Sequence, residues 1–116
     1  MADESTLSIQ TERAEKAVVI SPLGRVDGSN AAVLESAIQE QLDTGEKILV
    51  FDFKDLNYIS SAGLRVFLMT ARRLQGEGGK TLFFGLSGPI AHIFEISGFS
   101  AILSIYDSRD DALATL

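Results

Sequence analysis

Apolar residues follow two periods along this chain, and each period predicts a different kind of secondary structure. Leu7, Ile9 and Thr11 alternate with polar residues, which is typical of a half-buried strand. Continuous apolar runs such as Ile48 to Phe51 predict strands that are buried on both faces. Strands are expected over residues 7–11, 17–20, 48–51, 82–84 and 102–106, and the first two form a hairpin that turns at Ala14 and Glu15.

Between these strands, apolar residues recur at intervals of three and four, which predicts helices. Gly45 and Gly98 stand where a helix commonly ends in a left-handed residue. The expected helices run from Ala31 to Leu42, from about Ser61 to Leu74, from Pro89 to Phe94 and from about Ser108 to Leu116.

The predicted order of elements is β-β-α-β-α-β-α-β-α, in one domain over residues 1–116. Pro22 and Gly24 are expected to break the second strand, leaving residues 24–30 as a loop. Alternating strands and helices indicate an α/β sandwich with a mostly parallel sheet and one antiparallel edge strand.

Composition excludes several classes of function. The chain has 116 residues, a net charge of −6, no Cys and one His, so neither a disulfide nor a structural zinc site is expected. The acidic balance, with no basic cluster beyond Arg72 and Arg73, excludes nucleic acid as a partner. The polar start, Met1 to Thr6, does not resemble a signal peptide, and no apolar run spans a membrane. The prediction is a cytoplasmic protein without a membrane partner.

The stretch from Asp52 to Leu64 connects the buried strand at Ile48 to Phe51 with the helix that follows, and it carries the strongest candidate chemistry. Ser60 and Ser61 stand at the expected start of this helix. A serine there can simply cap free backbone N–H groups, and a plain cap at Ser61 is one interpretation. The same N–H groups and the helix dipole also favour a phosphate, so a phosphoryl acceptor is the other.

The residues from Asp55 to Leu64 resemble the phosphorylation loop of STAS domains, the family of bacterial anti-sigma factor antagonists. In that family the loop contains an acidic residue, a serine, a small residue, Gly and Leu, and the serine is phosphorylated by the anti-sigma kinase. Alignment on Gly63 and Leu64 places the phosphoserine at Ser61. The usual acidic residue is replaced by Ser60, which makes Ser60 the second candidate.

The resemblance extends from about Leu7 to Leu116. Gly-x-Val-Asp, which ends at Asp27, resembles a family loop near the phosphorylation site, although Asp27 also suits an ordinary helix start. The segment from Ile90 to Phe99 resembles the late helix of the family. The resemblance implies helices packed mainly on one face of the sheet.

Enzyme interpretations find little support. Ile59 to Gly63 does not match the nucleophile motif of serine hydrolases, and the single histidine, His92, lies on a predicted exposed helix face. The glycines from Gly76 to Gly79 lack the Lys-Ser/Thr pair of a phosphate-binding loop. We therefore expect no catalytic residue, no cofactor and no metal.

The helix after Ser61 has a second side on which Arg65, Met69 and Arg72 follow Ser61, away from the apolar stripe. An exposed methionine between arginines suits a protein contact, and a solvated face with one stray apolar residue is the alternative. The predicted partner-binding residues are Asp27, Ser60, Ser61, Ala62, Gly63, Arg65, Met69 and Arg72.

The resemblance implies an anti-sigma factor antagonist whose unphosphorylated form binds an anti-sigma factor that is also a Ser kinase, and so frees a sigma factor. The expected partners are this kinase and a Ser phosphatase. Two alternatives stay open. One is a STAS subunit of a stable signalling or lipid-transport assembly, and the other is a small-molecule or nucleotide sensor with a pocket near Asp27 and Ser61.

Overall fold

The computed structural model describes residues 6–116 and contains a six-stranded sheet with four α-helices. The strands are β1 (Leu7–Ala14), β2 (Ala17–Val26), β3 (Ile48–Asp52), β4 (Leu56–Ile59), β5 (Lys80–Phe84) and β6 (Ser104–Tyr106). The helices are α1 (Ala31–Asp43), α2 (Ser61–Gly76), α3 (Gly88–Ile96) and α4 (Arg109–Leu113), and a short 3₁₀ turn covers Phe99–Ala101.

The strand order is β1-β2-β3-β5-β6, and β4 pairs with β2 beside this path. The β1–β2 hairpin is antiparallel, with Ala14 opposite Ala17, and every other pairing is parallel. The predicted α/β class, with a mostly parallel sheet and an antiparallel edge strand, is confirmed.

The two faces of the sheet carry separate apolar cores. The larger core contains buried residues of α1, α2 and α3, such as Leu34, Phe67 and Phe94. The smaller core lies on the opposite face, where Ala112 of α4 packs in a cluster with Val19 and residues of β3 and β5. Three of the four helices therefore share one face, as the family resemblance implies.

Phenylalanines form the centre of the larger core. Five rings, those of Phe51, Phe53, Phe67, Phe83 and Phe94, are fully buried. The Phe67 ring centroid of α2 lies 5.0 Å from that of Phe51 and 4.9 Å from that of Phe53, both in edge-to-face arrangements. Such pairs are favoured by the aromatic quadrupole in addition to the burial of area. These contacts fix α2 on the sheet.

The prediction that Pro22 and Gly24 break β2 is wrong, because the strand continues to Val26. β2 pairs with β3 up to Ile20 and with β4 from Gly24, so Pro22 lies where the strand changes neighbours and its missing N–H breaks no parallel pairing there. Gly24 has a φ of 104°, and a Cβ atom there would lie 2.4 Å from the carbonyl oxygen of Thr6. A glycine accommodates this bend without a clash.

The predicted order of elements omits β4 and is therefore wrong between β3 and α2. Leu56 and Ile59 are buried while Asn57 and Tyr58 between them are exposed, so the four residues do not alternate. The pairing of β4 with the end of β2 exists only because β2 continues past Pro22. The observed order is β-β-α-β-β-α-β-α-β-α.

Several predicted ends of elements are confirmed. Gly45 and Gly98 have positive φ angles at the ends of α1 and α3, and the Phe99 ring packs at 5.9 Å from that of Phe94. Ser108 caps α4 through the N–H of Asp111, whereas β6 begins at Ser104 and not at residue 102. The single-domain assignment over residues 1–116 stays a prediction, and residues 1–5, with most of the polar start, lie outside the described residues.

Within residues 6–116, none of the helices combines the length and the apolar character that crossing a bilayer requires.

Candidate functional site

The candidate site begins where β4 passes directly into α2. Ser60 is the N-cap residue: its backbone is extended, and its hydroxyl accepts a hydrogen bond of 3.4 Å from the N–H of Gly63. Ser61 is the first helical residue, one position further on. The interpretation of Ser61 as the helix cap is therefore wrong, because the helix begins at Ser61 itself and the preceding residue, Ser60, occupies the cap position.

The two serines are expected to contribute unequally to stability. Ser60→Ala removes the cap and should lower the free energy of unfolding by roughly 0.5–1 kcal/mol, toward the lower part of the usual range because the hydrogen bond is long. Ser61→Ala should change it by less than about 0.5 kcal/mol, since Ser61 is an exposed helical position. Urea denaturation of both variants measures the difference, and a larger loss for Ser61→Ala would contradict this assignment of the cap.

The Ser61 side chain is available for modification. Its residue is exposed, and within residues 6–116 the hydroxyl makes no hydrogen bond. By contrast, Ser60 is half-buried and its oxygen is engaged with Gly63. The geometry therefore favours Ser61 over Ser60 as the acceptor of a phosphoryl group, although both stay predictions.

Gly63 brings α2 into close contact with the ends of β2 and β4. A Cβ atom at Gly63 would lie 2.6 Å from Cγ1 of Val26 and 2.9 Å from Cγ1 of Ile59, both too short for real contacts. Glycine at this position therefore has a packing reason of its own, independent of any partner. The backbone N–H of Ser60 donates to the carbonyl of Val26 at 2.9 Å, which further fixes the junction.

The turn between β2 and α1 is built from Asp27, Ser29 and Asn30. The Asp27 carboxylate accepts hydrogen bonds from the Ser29 hydroxyl at 2.6 Å and from the Ser29 N–H at 2.9 Å. Asn30 is buried, and its amide accepts from the Asp27 N–H and donates to the Arg25 carbonyl. Because Ser60 is bonded to Val26, this turn is adjacent to the start of α2, as the prediction for Asp27 requires.

Hydrogen bonds keep the Asp27 side chain ionised. The Ser29 hydroxyl, then the Ser29 N–H, and then the charge of Arg25 lower the pKa of the Asp27 carboxyl below its usual range. Asp27 thus contributes a fixed negative charge at neutral pH. Its stabilising contribution is present above the unfolded pKa and is lost as the pH falls through the lowered one.

Along α2, the residues predicted to form a binding face are exposed. Arg65, Met69 and Arg72 all face solvent, and Met69 is 59% exposed. Arg65, Met69 and Ala62 line a mainly apolar groove of about 390 Å³ between α1 and α2, whereas Arg72 lies outside it. The structure therefore brings part of the predicted partner-binding set into one groove.

Sequence reasoning missed a pair of residues on the two strands that precede α1 and α2. Arg25 and Tyr58 are paired in the β2–β4 ladder, and the Arg25 guanidinium lies 4.2 Å from the Tyr58 ring centroid. Tyr58 is 40% exposed, although it is large and aromatic. No periodic signal marks either residue, because their contact depends on the unpredicted strand β4.

Metal and acid–base chemistry have no obvious location in the described chain. Between residues 6 and 116, no three His, Asp or Glu side chains group in a way that could hold a metal ion. His92 is exposed on α3, as predicted, and lines a separate groove between α3 and β6. The arrangement around Ser61 is suited to modification and protein contact.

Comparison with known proteins identifies the family of this chain. The family model of the STAS domain matches residues 8–112. BtrV, a candidate anti-sigma factor antagonist of Bordetella bronchiseptica, is 42% identical over 91 residues, which cover 78% of each chain.

Solved structures show the same fold. The crystal structure of an anti-sigma factor antagonist from Mycobacterium paratuberculosis superposes with a TM-score of 0.88 at 23% identity, covering 99% of this chain and 97% of that one. The unphosphorylated form of the anti-sigma factor antagonist SpoIIAA gives a TM-score of 0.78 at 21% identity, with 93% and 95% coverage. The same protein has been solved in a phosphorylated form. The chain belongs to the STAS domain family, and its relatives in that family are named as anti-sigma factor antagonists.

Proposed function

We propose that this protein is an anti-sigma factor antagonist whose binding is switched by phosphorylation of Ser61. Its unphosphorylated form binds an anti-sigma factor that is also a Ser kinase, and this binding frees a sigma factor. The protein itself catalyses no reaction. The observation that carries the proposal is the position of Ser61 at the first residue of α2, exposed and without a hydrogen bond to any of residues 6–116, in a chain 42% identical to BtrV over 91 residues.

The covalent step belongs to the partner. The kinase transfers the γ-phosphoryl group of ATP to the Ser61 hydroxyl oxygen, so that the O–P bond forms, ADP leaves and the hydroxyl proton is released. A Ser phosphatase reverses the step by hydrolysis, which yields the free serine and inorganic phosphate. SpoIIAA, which has been solved in both forms, is a relative in which one fold carries the modified and the unmodified state.

The charge change explains how the switch acts. A phosphate adds about −1.5 to −2 charges at neutral pH. Asp27, which is ionised, lies in the turn adjacent to the start of α2, so the added charge falls beside an existing one. Gly63 is buried against Val26 and Ile59 and is not part of the exposed face. The face formed by Ser61, Ala62, Arg65 and Met69 then presents an anion where the partner meets a hydroxyl.

The test is phosphorylation by the cognate anti-sigma kinase followed by mass spectrometry. Wild type should gain one phosphate, and the peptide that carries it should assign it to Ser61. The Ser61→Ala variant should gain none, while the matched Ser60→Ala variant should still be labelled, since its acceptor is intact. Labelling of Ser60 in both wild type and Ser61→Ala would move the site by one residue, and no labelling at all would refute the phosphorylation switch.

A further inference from the structure

The arginines of this chain divide into two groups. Of the six arginines, Arg13, Arg73 and Arg109 pair with carboxylates within residues 6–116. The other three, Arg25, Arg65 and Arg72, make no ion pair in the described chain. Arg65 and Arg72 lie on the exposed side of α2, whereas Arg25 lies on β2 and stacks on the Tyr58 ring. In a protein of net charge −6, two uncompensated arginines, Arg65 and Arg72, are thus concentrated on the side of α2 that begins at Ser61. This concentration indicates an anionic counterpart at that face.

Arg65 has a special relation to Ser61. The two residues are four apart in one helix, so they lie about 40° apart around its axis and about 6 Å apart along it. Oppositely charged side chains at this spacing contact each other on a helix surface. Arg72 is on the same side of the helix, but it lies about 16 Å from Ser61 along the axis, which is too far for a contact between the two side chains.

We propose that Arg65 exchanges one anion for another during the switch. With Ser61 unmodified, Arg65 pairs with a carboxylate on the docked protein partner. After phosphorylation it pairs with the phosphate of Ser61 in the same helix, and the partner's carboxylate is left without its cation. This inference rests on the proposed function and adds an acidic patch as the chemistry of the partner surface.

With this exchange, the phosphate weakens partner binding in two ways. It introduces negative charge at the contact, and it also withdraws the positive charge that an acidic partner surface would bind. The groups able to compete for Arg65 are Glu35 of α1, which lines the same groove, and Asp27 in the neighbouring turn. Neither forms an ion pair with Arg65, and Asp27 is engaged by Ser29, so no carboxylate within residues 6–116 occupies the guanidinium.

The first experiment requires no kinase. Phosphoserine is installed at position 61 during synthesis of the full chain, and the second pKa of the phosphate is measured by ³¹P NMR. An isolated phosphoserine has this pKa near 6, and pairing with Arg65 lowers it. We expect the pKa to rise by at least about 0.3 pH units in Arg65→Gln. Lys80→Gln, which removes the same charge from the opposite end of the sheet, should leave the pKa unchanged. Equal pKa values in wild type and Arg65→Gln would overturn the inference.

The second experiment measures coupling between the two residues in partner binding. Arg65→Gln should weaken the complex of the unphosphorylated chain about tenfold and that of the phosphoserine chain less than about twofold. Equal losses in both chains would show that Arg65 is not exchanged and would refute the inference. Because the phosphate is installed synthetically, failure of the kinase to label Ser61 refutes the proposed function without affecting the pKa result, so the two failures are distinguishable.

Discussion

Replacement of Phe67 by alanine should lower the free energy of unfolding by about 3–5 kcal/mol, the usual loss when a buried phenylalanine is truncated. Phe67 is fully buried and is the residue of α2 that contacts the rings of Phe51, Phe53 and Phe83. The truncation removes these contacts and leaves a cavity beneath the helix that carries Ser61. Chemical denaturation in urea measures the loss directly. The free energy of unfolding of a small domain is only about 5–15 kcal/mol in total, so this variant should be close to unfolding.

A matched control shows how much of this loss comes from the volume of the cavity. Phe67→Leu keeps most of the apolar volume and should lose clearly less stability than Phe67→Ala, since the cavity is smaller. Met69→Ala, on the exposed side of the same helix, should change the unfolding free energy by less than about 0.5 kcal/mol. Similar losses for Phe67→Ala and Met69→Ala would mean that α2 does not pack on the sheet through its phenylalanine.

The largest effect on binding is expected at Ser61. Phosphorylation should weaken the complex with the anti-sigma kinase about a hundredfold, or ~2.7 kcal/mol. Ser61→Asp should weaken it in the same direction, by less, because a carboxylate has fewer charges than a phosphate. Ser61→Ala should bind at least as tightly as wild type and should stay bound when ATP is added. Titration of each protein against the purified kinase, with and without ATP, measures these affinities.

Charge reversal at Arg65 extends the same test along the helix. Arg65→Glu should weaken the complex by roughly 1–3 kcal/mol, the range for altered interface residues, while the unfolding free energy changes by less than about 0.5 kcal/mol. Lys80→Glu, at an exposed position far from α2's start, is the matched control and should bind like wild type. Equal affinities of wild type, Ser61→Asp and Arg65→Glu would refute the docking face.

Most of the fold was predictable because the apolar pattern is regular where elements pack on the larger core. The α2 stripe that includes Leu64, Phe67 and Leu74 is buried as expected. The errors occur where tertiary pairing overrides local preference. Pro22 normally ends a strand, yet β2 continues because it changes neighbours at that residue. Strand β4 carries no alternation of its own and forms by pairing with the end of β2.

The cap of α2 was predictable to within one residue, and the assignment of site residues stays a prediction. The family motif identifies Ser60 and Ser61, but periodicity cannot determine which of two adjacent serines caps the helix, since boundaries inferred from apolar spacing carry that uncertainty. That the Asp27 turn lies near Ser61 follows from the resemblance. The Arg25–Tyr58 contact does not, because it requires the register between β2 and β4.

The position of β4 has a consequence for the motions of the site. Among the described residues, β4 pairs with β2 alone, so the strand that leads into Ser61 is held from one side. Segments with few neighbours open at a lower free-energy cost than the whole domain, and their amide hydrogens exchange with solvent sooner. Gly63 packs the start of α2 closely against Val26 and Ile59, so an opening of β4 would also disturb this packing. Amide hydrogens of β4 should therefore exchange with solvent sooner than those of β3, which pairs with β2 on one side and with β5 on the other.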